Sequence, residues 1–241
     1  MSDVVLKVDN LSQHFKLGSG TLKAVDGVSF EVRKGEVLGI VGESGCGKTT
    51  VGRTVIGLYP PTGGSVYLNG TRISAGTKLL DKTARDYHEE LAAIKADKKA
   101  EKKNKNTLKI QMIFQDPVSS LDPRLTVMDI IAEGLIIKGE RNKEVIREKV
   151  YAVLEKVGLV KEHANRYPHE FSGGQRQRIG IARAVVMEPE VIIADEPVSA
   201  LDVSIQAQVI LLLNKLRNEL GITIVFIAHD ISVVKYFSDK I

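Results

Sequence analysis

The sequence predicts an α/β fold: a parallel sheet covered by helices, with alternating strands near the amino terminus and a mainly helical segment in the middle. Three observations predict it. Short apolar runs bounded by turn residues recur at 36–41, 109–114, 191–194 and 222–228, the pattern of strands buried on both faces. Helical stretches separate these runs, and strands that alternate with helices form parallel sheets because each crossover returns the chain to the same end. The first 40 residues instead alternate apolar and polar side chains, as strands do when one face meets water.

In chain order, Val4, Leu6 and Val8 share one strand face, and Val28, Phe30 and Val32 share another. Lys34-Gly35 is a turn signal ahead of the buried run 36–41. A glycine-rich loop follows, then a helix over 49–58, which Pro60-Pro61 and Gly63-Gly64 break. Strands are expected at 65–68 and 71–73. Residues 78–107 are highly charged, with apolar positions Leu79, Leu80, Leu91, Ala92 and Ile94, and read as a surface helix fading into a flexible lysine-rich tip. The run 109–114 is a strand, and 126–186 is mostly helical with breaks at Gly139, Gly158 and Gly173-Gly174. Strand 191–194, helix 203–220 and strand 222–228 complete the order. A single domain over 1–241 is expected. Its core is 1–117 with 187–241, carrying a charged insert at 76–108, and 118–186 forms a helical subdomain.

A composition of 43% hydrophobic and 27% charged residues suits one globular domain of 241 residues. The formal net charge of +4 is local. Segment 97–109 holds six lysines against Asp97 and Glu101, and six minus two is the whole excess. With the remainder balanced and no Trp in the chain, no nucleic-acid partner is expected. The lysine block reads as a solvated, mobile insert, with contact to anionic lipid headgroups as the alternative. Cys46 is the single cysteine, so no intrachain disulfide and no cysteine-based zinc site is available. The opening residues lack the basic start and apolar run of a signal peptide. The strongest apolar runs, 209–213 and 222–228, fall short of the roughly 18 residues of a membrane span, so any membrane role is expected to be peripheral.

Gly42-Glu43-Ser44-Gly45-Cys46-Gly47-Lys48-Thr49 fits G-x-x-x-x-G-K-[ST] between a predicted strand and a predicted helix. Glycines let successive N–H groups point at phosphate oxygens, and the helix start adds its positive dipole end. Lys48 puts a cation on the β- and γ-phosphates of a nucleotide, and Thr49 offers a hydroxyl to Mg²⁺. With Thr50, the nucleotide-binding set runs from Gly42 to Thr50; Cys46 is a small residue of the loop rather than a nucleophile. The loop alone points to a nucleotide and not to a reaction, and a GTPase is the rival reading. The guanine-reading N-K-x-D string is missing, since Asn214-Lys215-Leu216-Arg217 lacks the aspartate. The apolar run 191–194 ends in Asp195-Glu196, which the carboxyl edge of a parallel sheet brings beside the loop. Asp195 is then the Mg²⁺ carboxylate, and Glu196 the base that polarises the attacking water.

Phe171-Ser172-Gly173-Gly174-Gln175 resembles the LSGGQ signature of ABC ATPases, with Phe in first place. Further matches fall in family order. Gln115 resembles the Q-loop glutamine, Ser199-Ala200-Leu201-Asp202 the D-loop, and His229 the H-loop histidine, while Phe15 sits where the family stacks an aromatic on adenine. The resemblance covers nearly the whole chain. It implies an ABC nucleotide-binding domain, with a P-loop NTPase (RecA-like) parallel-sheet core, an antiparallel β subdomain and an α-helical subdomain. It also implies a head-to-tail dimer, each ATP lying between the phosphate loop of one subunit and Ser172, Gly173, Gly174 and Gln175 of the other. Catalysis then falls to Glu196, His229, Gln115 and Lys48, metal binding to Thr49, Gln115 and Asp195, and the dimer seam to Ser199 and Asp202.

The strings AVDGVSFEVRKGEVLGIVGESGCGKTT, IFQDPVSSLDPRLTV and IIADEPVSALDVSIQAQV are similar to the ATP-binding subunits of oligopeptide and dipeptide importers, and to the second ATPase of the pair. That similarity implies a sister ATPase, two membrane permease subunits, an extracellular peptide-binding protein, and a place on the cytoplasmic face of the membrane. Nickel and glutathione importers use similar subunits, and a soluble non-transport ABC ATPase is a further reading. Two departures from the family are expected: a longer segment between the phosphate loop and Gln115, and the absence of the family's C-terminal extension beyond Ile241.

Overall fold

The computed structural model describes residues 3–18 and 20–241. Two long strands, β1 (Val4–Leu17) and β2 (Gly20–Arg33), form an antiparallel ribbon, and β3 (Val37–Val41) then enters a second sheet. Helix α1 (Lys48–Val55) follows. It stops short of the expected 58 because Gly57 turns to φ +84° and its N–H bonds back to the Thr54 carbonyl. Strands β4 (Gly63–Leu68) and β5 (Thr71–Ala75) make a hairpin through Asn69-Gly70, both at positive φ as a tight two-residue turn demands. β4 pairs with β1, giving an antiparallel sheet of order β2-β1-β4-β5.

Helix α2 (Tyr87–Asn104) corrects one expectation. The helix does not fade into a flexible tip; it runs through the lysines and ends at Lys105 in the left-handed conformation. The reason lies on its inner stripe. Ile94 is buried, Arg72 on β5 bonds both Glu90 and Asp97, and the latter contact spans 2.8 Å. Glu101 accepts the Thr107 N–H at 2.7 Å and ties down the helix end. Lysine and alanine are good helix formers once such a stripe is anchored.

A short helical turn at Asn106–Lys109 leads into β6 (Ile110–Ile113). Helices α3 (Pro117–Ser120), α4 (Val127–Lys138), α5 (Lys143–Lys156) and α6 (Gly173–Val185) then pack together. Their ends carry local signals: Thr126 and Asp129 cap α4 reciprocally, Gly139 at φ +105° ends it, and Asn142 caps α5. Strand β7 (Val191–Asp195), helix α7 (Val203–Leu220), strand β8 (Thr223–Ala228) and helix α8 (Ile231–Phe237) close the order. Helix α7 has the bounds expected from its periodicity.

The second sheet is parallel throughout, in the order β3-β8-β7-β6. Every residue of β7 and β8 is buried, as continuous apolar strands require. Their side chains alternate between two cores. Ile192, Ala194, Ile224 and Phe226 face the helices α4 to α8, whereas Val191, Ile193, Val225 and Ile227 join the core beneath α1 and the antiparallel sheet. The carboxyl ends of four adjacent strands therefore point to one edge, where Gly42, His229, Glu196 and Phe114-Gln115 follow in that order across the sheet. No helix among the described residues is long and apolar enough to cross a membrane.

Candidate functional site

The site grows from that edge. Past β3 the chain curls through Gly45 at φ +78° and Gly47 at φ +100°, and Gly47 caps α1 in the left-handed region. Lys48, nearly buried, donates from Nζ to the carbonyls of Gly42 and Glu43, each at 2.8 Å. Its ammonium is thus stored across the mouth of the loop on the loop's own oxygens. Cys46 is exposed, with its Sγ 3.8 Å from the same Nζ. Thr50, half-buried on α1, lends its carbonyl to the Thr54 hydroxyl at 2.7 Å.

Thr49 donates its hydroxyl to Asp195 Oδ1 at 2.8 Å, across 146 residues of sequence. Asp195 is fully buried, and its Oδ2 has no hydrogen-bond partner. Burial pushes its carboxyl above the ordinary carboxylate range, and the Thr49 hydroxyl opposes that shift. A buried carboxylate with an orphan oxygen beside a hydroxyl fits a hard divalent cation, whose preferred ligands are oxygens. Among the described residues no cluster of three His, Cys, Asp or Glu could cage a metal. One carboxylate and one hydroxyl leave most positions around such a cation to ligands other than this chain's side chains.

Glu196 stands at φ +45°, a left-handed conformation uncommon for a residue with a side chain, fixed by its N–H bond to the Ile227 carbonyl at 2.9 Å. Its Oε2 accepts from Gln115 Nε2 at 2.9 Å and lies 3.6 Å from His229 Nδ1, an electrostatic contact. Ser199 donates its hydroxyl to the Glu196 carbonyl at 3.1 Å. Gly42, Glu43, Ser44, Gln115, Glu196, Ser199 and His229 line one open cleft, together with Ala200 of the D-loop string and Asp116, which the sequence motifs did not single out. The cleft faces a phosphate loop with a carboxylate, an amide, an imidazole and a hydroxyl.

The signature residues lie elsewhere. Ser172 caps α6, its Oγ accepting the Gln175 N–H at 3.3 Å while Gln175 Oε1 accepts the Ser172 N–H at 3.0 Å. They do not line the cleft of their own chain. Phe171 is a buried anchor with the Arg166 guanidinium 4.8 Å from its ring centroid. A methyl group on Gly173 would sit 3.6 Å from Leu201, and one on Gly174 only 2.7 Å from Ile205 Cγ2. Asp202 precedes α7 without a side-chain cap. One short stretch, 196–205, thus starts in the cleft and ends against the signature glycines.

Phe15 is half-buried on β1 with its ring edge-on to Tyr59, centroids 5.4 Å apart. The structure does not bring it into the cleft with the loop residues. Tyr59 in turn accepts from Arg53 at 3.3 Å, and the positive Arg53 lowers the Asp195 carboxyl against the effect of burial. Arg53 went unread in the sequence, although its position four residues after Thr49 puts it on the same helix face.

Asp195→Asn tests the cost of that buried charge. The folded-state shift is upward, so the ionised carboxylate opposes folding at neutral pH and the opposition lifts as the pH falls towards protonation. The neutral amide can still accept from Thr49. The ligand-free variant is expected to melt higher at neutral pH, by about 2–4 °C per kcal/mol recovered. ATP turnover should be lost. A lower melting temperature in calorimetry would refute the charge argument.

The family described as ABC transporter matches residues 25–199. The oligopeptide transport ATP-binding protein OppF of Bacillus subtilis is 55% identical over 100% of this chain and 72% of its own length. The OppF of Escherichia coli is 48% identical over 99% of this chain and 68% of its own. Among solved structures, a dimeric post-hydrolysis state of the ATP-binding cassette MJ0796 bound to ADP and Pi superposes with a TM-score of 0.73 at 33% identity, covering 96% of this chain and 91% of that one. CbiO1 from Clostridium perfringens, part of the ABC transporter complex cbiONQ, gives 0.73 at 28% identity over 99% and 83%.

Proposed function

We propose, from the premise that this chain belongs to the ABC transporter family and is an ATP-binding, ATP-hydrolysing subunit of it, that it energises the import of oligopeptides across a membrane. The observation that carries the catalytic part is the convergence of Gln115, Glu196 and His229 on one cleft with the phosphate loop. The peptide cargo is supported by relatives that carry oligopeptide transport in their names at 48–55% identity.

ATP lies with its phosphates on the loop 42–49, and Lys48 leaves the carbonyls of Gly42 and Glu43 for the β- and γ-phosphates. Mg²⁺, held by Thr49, Asp195 and Gln115, would neutralise charge between those phosphates. Glu196 polarises the attacking water, Gln115 orients its carboxylate, and His229 donates to the γ-phosphate. Ser172, Gly173, Gly174 and Gln175 close the site on the ATP of the other subunit in a head-to-tail dimer, with Ser199 and Asp202 at the seam. Phe15 stacks on adenine after turning from Tyr59.

The partners are a sister ATPase, two membrane permease subunits and, through them, an extracellular peptide-binding protein; the subunit works on the cytoplasmic face of the membrane. A groove beside the strand that delivers Gln115 receives the permease. It is lined by Leu58, Leu108, Phe114, Ile137 and Met187, and Leu58 and Ile137 remain about half exposed, at 55% and 54%.

Copurification from native membranes tests the reading. Permease subunits and a sister ATPase are the expected companions; ribosomes or DNA-repair proteins without a membrane partner would overturn it. Gly174→Ala tests the shared site. Its methyl meets Ile205 of the same subunit, and relieving that overlap displaces the turn that faces the partner's ATP, which should lower turnover by up to about a hundredfold. ATP affinity of the isolated subunit should stay unchanged, and unimpaired turnover would remove Gly174 from the shared site.

A further inference from the structure

Helix α2 has two faces of opposite character. Glu90, Ile94, Asp97 and Glu101, spaced by three or four residues, form the inner stripe, and Arg72 or the Thr107 N–H takes up each acid. Lys95, Lys98, Lys99, Lys102 and Lys103 fall on the opposite side at the same helical spacing, and all five are exposed. Lysine ion pairs among the described residues are made by Lys7, Lys23, Lys109, Lys149, Lys161 and Lys215, so none of these five is neutralised. Three of the helix's four acids are used inward, Glu89 in its first turn staying exposed, and the segment 95–103 presents an ordered row of free ammonium groups. Five such charges repel one another unless an anionic surface meets them.

We propose that the outer face of α2 docks on the anionic headgroups of a lipid bilayer. The proposal rests on the importer reading for the presence of a membrane, while the charge stripe stands without it. Position supports it: the turn Asn106–Lys109 that follows α2 contributes Thr107 and Leu108 to the groove assigned to the permease, so the stripe borders the side of the subunit turned to the membrane. Chemistry supports a bilayer over nucleic acid. Residues 95–103 contain no aromatic residue to stack a base and no Arg for bidentate contacts, and the rest of the chain is charge-balanced. The face also lacks large apolar residues, so the helix rests on headgroups by charge and does not insert.

Flotation of the full chain with vesicles tests this. Vesicles of equal parts phosphatidylglycerol and phosphatidylcholine should bind it, pure phosphatidylcholine vesicles should not, and raising salt from about 0.05 to 0.5 M should release it. A lysine near an anionic surface contributes roughly fivefold to partitioning. Combined Lys98→Gln, Lys99→Gln, Lys102→Gln and Lys103→Gln should therefore weaken binding at least about a hundredfold. Glutamine keeps the helix propensity, and basal ATPase should be unchanged. The same four positions changed to Arg should restore binding. Equal binding to both vesicle types, undiminished binding by the glutamine variant, or preference for a single-stranded oligonucleotide over anionic vesicles at equal salt would overturn the proposal. The vesicles hold no permease, so a failed copurification alongside intact vesicle binding sinks the importer reading and leaves this one standing.

Discussion

Glu196→Gln is expected to lower ATP turnover about 10²- to 10⁴-fold while ATP still binds. The substitution keeps shape and removes only basicity. Gln115 can still donate to the remaining carbonyl oxygen at this position, and the backbone bond from the 196 N–H to Ile227 is untouched. The loop and Lys48, proposed to hold the phosphates, and the Thr49–Asp195 pair, proposed to hold Mg²⁺, are unaffected. Nucleotide should therefore bring two subunits together without the hydrolysis that separates them, and a long-lived dimer should build up. Phosphate release in steady state gives the rate, and gel filtration with ATP gives the dimer. Turnover within a few-fold of the parent would refute Glu196 as the base and shift attention to His229, 3.6 Å away.

Gly47→Ala carries the second large effect. The backbone there has φ +100°, which a residue with a Cβ adopts only under strain of about 1–2 kcal/mol. A methyl group would also lie 2.2 Å from the carbonyl oxygen of Ala24, a backbone atom of β2 that cannot step aside as a side-chain tip would. Overpacking adds about 1–3 kcal/mol. The sum of about 2–5 kcal/mol moves either the loop or the ribbon, and the N–H groups aimed at phosphate move with it. ATP affinity should fall at least tenfold, and the melting temperature by roughly 4–20 °C. Gly45→Ala is the control. Gly45 also has positive φ, at +78°, but its added methyl meets nothing within 4 Å. It should show the conformational strain alone, so equal losses at the two positions would refute the clash with Ala24.

The loop and the acids were legible because their signals are local. Gly42 to Thr49 is a contiguous motif, and a strand ending in Asp195-Glu196 needs only the rule that parallel sheets gather their sites at one edge. That rule anticipates the Thr49–Asp195 bond across 146 residues. It does not give the strand order β3-β8-β7-β6, which depends on contacts between distant segments. The helical course of α2 through its lysines escapes a reading from composition, which counts the lysines, whereas the fold depends on where the acids fall and on Arg72, a β5 residue distant in sequence. The Phe15–Tyr59–Arg53 chain was invisible for the same reason: only tertiary packing brings an early strand against the end of α1.

The stretch 196–205 has a consequence for a dimer with two nucleotides. Ser199 holds the Glu196 carbonyl, and Leu201 and Ile205 lie by the signature glycines, so in the proposed head-to-tail dimer this stretch would act as a lever between one subunit's base and the surface it offers to its partner's ATP. Occupancy of one nucleotide site then alters the affinity of the other, and linkage makes that influence equal in both directions. Where both nucleotides favour the same closed dimer, such a pair reads ATP concentration more steeply than either site alone, with a Hill coefficient between one and two. Softening the lever at Ile205 would flatten that response towards one before it abolished binding.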